Sequence, residues 1–179
     1  MRELSLNVMD IVQNSISAGA TVIKISVLEE AQKLTIVVTD NGKGMSKEQV
    51  CKVIDPFFTT RTTRKVGMGI PLFKMEAEMT GGSFEIESDL NQGTKVTATF
   101  ITTHLDMLPL GDINATVWLL ITCNPDLDFI FYRRIGHLYF TLNTKELKDI
   151  LGEIPLNAPD VSQWLKDYLT EQTALLHGG

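Results

Sequence analysis

Four short segments stand in one order within the first hundred residues. They read Asp10-Ile11-Val12-Gln13-Asn14-Ser15, Asp40-Asn41-Gly42-Lys43-Gly44-Met45, Asp55-Pro56-Phe57-Phe58-Thr59-Thr60-Arg61 and Gly67-Met68-Gly69-Ile70. Few folds can use all four, because strand ends and helix starts must then converge on one cleft.

The periodicity around them sets the element order. Leu4, Val8, Ile11, Ser15 and Ala18 recur at helical spacing, which predicts an amphipathic helix over residues 3–18, stopped near Gly19. Ile23, Ile25 and Val27 alternate, as do Leu34, Ile36 and Val38, so a β-hairpin follows. Ser46 suits the cap of a short helix ending near Ile54. Pro71 suits the first turn of another, which runs to Gly81-Gly82. Residues 83–88 and 95–101 alternate as strands around an Asn91-Gln92-Gly93 turn. One sheet backed on one face by helices buries all these apolar faces.

Residues 102–111 read as a connector, and the pattern then restarts. Asp112 caps a helix broken at Asn124-Pro125. Residues 129–134 and 138–142 form a hairpin, Asn143 with Glu146 fits a capping box, and a last helix covers about 161–176. The expected domains are therefore 1–101 and an α+β extension, 102–179. Its strands either join the first sheet or form a layer of their own.

A formal net charge of −6 lacks the positive field of non-specific nucleic-acid binding, so no nucleic acid is expected as main partner. Cys51 and Cys123 show no paired metal spacing and suit a reducing compartment. Polar residues thread the N-terminus and the longest apolar run is 117–121. A cytoplasmic protein without a signal peptide or membrane segment is expected.

The four segments also carry chemistry. Asp10 and Asn14 lie one turn apart on one helix face. An Asn oxygen is a hard, neutral ligand for magnesium, and a carboxylate one turn earlier can accept a proton. From this helix alone, the solvated polar face is the favoured reading of the pair. Asp40 follows a strand and can accept a hydrogen bond from an exocyclic amine, while Gly42 and Gly44 admit a flat ring; Asp-Asn-Gly is also an ordinary turn. Gly67-Met68-Gly69 opens a helix whose free N–H groups favour an anion. No Gly-Lys-Ser/Thr follows, which excludes a P-loop. Taken jointly, the segments favour a magnesium-nucleotide site.

These residues resemble the four boxes of the GHKL superfamily, the ATP-binding fold of gyrase, heat-shock ATPase chaperones, histidine kinases and mismatch-repair ATPases. Residues 10–20 are similar to the N box and 40–44 to the first glycine box. Pro56 to Arg61 in the third segment resembles the F box of histidine kinases, and 67–70 the second glycine box. Residues 81–88 followed by Gly93-Thr94 resemble the usual histidine-kinase ending. The resemblance covers about residues 3–101 and implies a two-layer α/β sandwich of the Bergerat type, an α+β fold with a mixed sheet and helices on one face.

Carried over by position, it implies that Asn14 binds magnesium and that Asp40 bonds the adenine amine between Gly42 and Gly44. Thr94 would face the adenine end. Residues 59–66 would be the ATP lid, bringing Thr59, Thr60, Arg61, Lys65 and Val66 to the nucleotide beside Phe58. Gly67, Met68, Gly69 and Ile70 would open the helix at the phosphates, and Ala18 and Met45 complete the boxes. Asp10 would be the general base, although the ATPase branch and the anti-sigma serine kinases carry Glu there. Asn14 to Ala20 (Asn-Ser-Ile-Ser-Ala-Gly-Ala) is closer to mismatch-repair ATPases than to typical histidine kinases.

The expected function is a stand-alone histidine-kinase-like protein using Mg2+ and ATP to phosphorylate a partner protein in trans. The chain begins inside the N-box helix, and His104, His137 and His177 lack a phosphoacceptor context, so the acceptor is expected on that partner. A conformational ATPase that dimerises with ATP and a non-catalytic ATP sensor with a regulatory partner are the competing readings.

Overall fold

Alternation of apolar and polar residues decides which face of each strand is buried. The computed structural model describes residues 2–55 and 69–178. Within them the elements run α1 (Leu4–Ser17), β1 (Val22–Glu30), β2 (Lys33–Asp40), α2 (Lys47–Val53), α3 (Gly69–Met79), β3 (Ser83–Asp89), β4 (Gly93–Ile101), α4 (Ile113–Cys123), β5 (Asp128–Ile135), β6 (Leu138–Asn143), α5 (Thr144–Leu151) and α6 (Pro159–Leu176). The six strands form one sheet in the order β3-β4-β2-β1-β5-β6. All pairs are antiparallel except β1 with β5. This is the mixed α+β sheet expected, with the extension's strands joined to the first sheet through β1.

Register places Ile25 opposite Val38 and Phe131, and Ile36 opposite Ala98. These residues, with Ile23, Val27, Leu34, Val96 and Phe100, are buried beneath the helices. From α1, Leu4, Val8, Ile11 and Val12 are at most 2% exposed. Each such burial is worth roughly 1.5–3 kcal/mol. Phe73 of α3 packs its ring 5.6 Å from that of Phe100, which fixes α3 over β4.

The helix starts follow local chemistry. Ser46 accepts from the Gln49 N–H while the Gln49 side chain accepts from Ser46 N–H, a complete capping box. Asp112 accepts from Ala115 N–H. Asn143 accepts from Lys145 N–H, so the cap forms without the Glu146 partner that the sequence suggested. The last helix begins at Pro159, two residues before its apolar periodicity does. No side chain caps α1. Instead the connector does so with backbone, since Leu4 and Ser5 N–H groups donate to the Pro109 and Leu110 carbonyls at 3.0 and 2.9 Å. Gly111 permits this approach, because a Cβ there would collide with Glu3 and Ser5. No helix among the described residues is long and apolar enough to cross a membrane.

Candidate nucleotide site

The end of α1, the end of β2, the turn after it and the start of β4 enclose a cavity of about 260 Å3. Asn14 and Asp40 both line it. So do Ala18, Gly44, Met45, Ile70 and Thr94 among the residues carried over from the sequence. Ile11, Val38, Val53 and Val96 supply apolar walls that suit a flat ring, while Ser15, Ser17 and Lys43 add polar groups the sequence did not single out.

Asp40 is held from two sides. Ser15 Oγ donates to Oδ2 at 2.6 Å, and Gly42 N–H donates to Oδ1 at 2.8 Å. Each oxygen keeps acceptor capacity beyond those bonds. Asn41 pins the turn to β1, accepting from Thr21 and Val22 N–H and donating to Thr21 Oγ1. Lys43 N–H donates to the Ala18 carbonyl at 2.9 Å, which closes the turn on the end of α1. Gly42 is required by that closeness, since a Cβ would stand 2.9 Å from the Ala18 oxygen. Gly44 has φ +69°, and a Cβ there would run into the Asp89 backbone.

The far wall is laced by one residue outside the expected set. Ser88 Oγ accepts from Met45 N–H at 2.8 Å and lies 2.8 Å from Thr94 Oγ1 and 3.0 Å from the Gly93 carbonyl. The signal for Ser15 was present in the sequence: a hydroxyl in an apolar stripe must find a partner. Ser88 had no comparable signal.

Asn14 is half-buried and makes no side-chain hydrogen bond to any described residue. A free amide oxygen at the cavity edge fits a magnesium ligand. Asp10 lies outside this cavity, in a neighbouring groove of about 340 Å3 with Arg2, Asn7 and Met9. Partial burial raises its carboxyl above the usual aspartate range, and the Arg2 charge opposes this. Gly69 abuts it: a Cβ on Gly69 would stand 3.0 Å from Asp10 Cβ. The start of α3 therefore meets α1 at the expected base. Two turns further along α3, Glu76 is 8% exposed. Arg2 Nε donates to Glu76 Oε2 at 3.1 Å, tying the residues before α1 to α3. Burial raises the Glu76 pKa, with Arg2 and Asn7 pulling it back.

Phe58, Thr59, Thr60, Arg61, Lys65, Val66, Gly67 and Met68 lie outside the described residues. His104 sits in an exposed turn, where its Nδ1 accepts from Asp106 N–H, and His137 and His177 are exposed.

Comparison with known proteins agrees with this geometry. Residues 2–104, more than half of the chain, match the family described as histidine kinase-, DNA gyrase B-, and HSP90-like ATPase. Sporulation kinase D of Bacillus subtilis is 37% identical over 81 residues, covering 45% of this chain and 15% of that protein. Sporulation kinase B of the same organism is 31% identical over 98 residues, covering 53% and 23%. The chain thus spans less than a quarter of either kinase. A crystal structure of the N-terminal domain of a DNA repair protein superposes with a TM-score of 0.56 at 15% identity, covering 86% of this chain and 58% of that one. That likeness concerns the fold, and it covers more of the chain than the family match does. With the boxes, the cavity and the family match in register, the chain belongs to the histidine kinase-, DNA gyrase B- and HSP90-like ATPases.

Proposed function

We propose that this chain binds Mg-ATP in the cavity beside Asp40 and transfers the γ-phosphoryl group to a side chain of a partner protein. The observation that carries the reading is that Asn14 and Asp40, 26 positions apart in sequence, line one cavity. Asp40 accepts from the adenine amine, with its carboxylate already aimed by Ser15 and Gly42. Asn14 would hold magnesium, which supplies charge neutralisation at the phosphates. Gly69 and Ile70 open α3, whose start would face the same phosphates.

In the transfer step the partner's nucleophile forms a bond to the γ-phosphorus as the bond to the bridging oxygen breaks. ADP leaves, and the nucleophile's proton passes to Asp10. Its raised pKa makes Asp10 a stronger base than an ordinary aspartate. The kinase reading is supported by the Pro56-Phe57-Phe58-Thr59-Thr60-Arg61 segment and by relatives that are kinases. It is tested by incubating the purified chain with γ-labelled ATP and co-encoded proteins. Label on a partner supports it; ATP hydrolysis without label on any partner contradicts it.

A second reading, an ATPase that dimerises on binding ATP, is favoured by the Asn14 to Ala20 sequence. Size-exclusion chromatography with a non-hydrolysable analogue separates the two, since this reading requires a shift to dimer.

A further inference from the structure

The two C-terminal helices leave an apolar groove between them. α5 contributes Leu147, Ile150 and Leu151, α6 contributes Val161 and Trp164, and Asp160 stands at the lip of a hollow of about 330 Å3. Ile150 is 81% exposed and Trp164 47%. Trp164 is stacked on Tyr168 at 5.0 Å and 16°, so it is braced as a wall of the groove. Large apolar side chains held open on charged helices mark a contact surface.

The surrounding charges say what fits. Two nearby lysines are already engaged. Lys148 bonds Asp128 and the Leu127 carbonyl, and Lys166 lies 4.8 Å above the Trp118 ring. Lys145 falls about 140° around α5 from Ile150. Among the acids, Asp160 lines the groove, and Asp167, which accepts from Gln163 Nε2 at 3.0 Å, keeps its charge near it. Glu146 precedes Ile150 by four residues. Asp160 precedes Trp164 by four, and Asp167 and Glu171 follow it by three and seven, so they share its helix face. All four acids are exposed, and none forms an ion pair with a described residue.

We propose that this groove docks an amphipathic helix of a second protein, one that presents an apolar row set among basic residues. Such a helix places residues spaced i, i+3, i+4 and i+7 into an apolar slot while its cations meet the acidic rim. The inference stands apart from the nucleotide reading. α5 packs on β5 and α6 on β6, at the other end of the sheet from β3 and α2. Both helices also lie beyond the family match at residues 2–104.

The test titrates the full chain into a dye-labelled synthetic helix carrying Leu at i, i+3, i+4 and i+7 and Lys elsewhere, read by fluorescence anisotropy at physiological ionic strength. Saturable binding is expected, weakened about tenfold or more by Ile150→Ser and also weakened by Asp160→Lys. The same helix with Glu in place of Lys is expected not to bind. Ile150 is exposed, so its substitution leaves folding intact, and circular dichroism checks this. Absence of saturable binding, equal binding of the Glu helix, or indifference to Ile150→Ser overturns the proposal. Self-association of the chain that Ile150→Ser abolishes also overturns it, by making a second copy the occupant.

Discussion

Ser15 donates its hydroxyl hydrogen to Asp40 across 2.6 Å, joining the last turn of α1 to the end of β2. The bond fixes the carboxylate that the proposed adenine contact needs. It also makes helix and strand one unit at the cavity.

Ser15→Ala removes one of the two donors that orient Asp40. Loss of a hydrogen bond to a charged group costs about 1.5–3 kcal/mol. Calorimetric titration should show ATP affinity falling roughly tenfold or more. An unchanged ATP affinity would mean that Gly42 alone positions the carboxylate.

Gly69→Ala tests the contact between α3 and Asp10. Gly69 is the first residue of α3, so alanine gains little there from helix propensity, and the added methyl should lower stability by at most about 1–3 kcal/mol. The new methyl must displace Asp10 or α3 by a few tenths of an ångström, since it would otherwise stand 3.0 Å from Asp10 Cβ. Misplacement on the ångström scale costs ~10²-fold in rate, so a loss on the order of tenfold in turnover is expected, with ATP still bound. Steady-state kinetics beside a melting curve decides this.

How much of this was readable in the chain depends on how local the cause is. The alternation in β1, β2 and β4, the capping of α2 at Ser46 and the stops at Gly19 and Gly81 are local, and each appears where the residues placed it. The last helix lies where its periodicity puts it, starting two residues earlier at Pro159 because Pro159 and Asp160 add no apolar period. The parallel pairing of β1 with β5 joins Ile25 to Phe131, and no local pattern encodes a partner that distant. Asn14 and Asp40 were legible through their motifs. Their shared cavity was not, because it depends on α1 crossing the end of β2. Ser15 falls within the apolar stripe of α1, where periodicity alone does not separate a core position from a hydrogen-bonding one.

Glu76 makes stability pH-dependent. Its folded pKa is raised above the ordinary 4.5, mainly by burial, so the native state binds its proton more tightly than the unfolded chain does. Stability from this group is therefore complete below about 4.5 and is lost as pH climbs towards the raised folded value. Glu76→Gln removes that dependence. Urea unfolding of both proteins should give parallel stabilities at low pH, with wild type losing ground to Glu76→Gln as pH rises through this window. A difference that is flat, or that grows in favour of wild type, would assign Glu76 to its ion pair with Arg2 instead.

Asp10→Asn separates binding from chemistry. Removing a general base costs typically 10²–10⁴-fold, so turnover should drop by about that much while ATP affinity holds. Single-turnover release of labelled phosphate measures it, and undiminished turnover would take the base role from Asp10.

The proposed function requires one cavity to take both a purine nucleotide and a divalent cation. Isothermal titration of ATP with magnesium into wild type, Asn14→Ala and Asp40→Ala tests it most directly. Wild type should give saturable heat, Asp40→Ala none, and Asn14→Ala an affinity that magnesium no longer improves. Well-folded wild type that gives no heat, or an Asp40→Ala protein that binds ATP as wild type does, would contradict it.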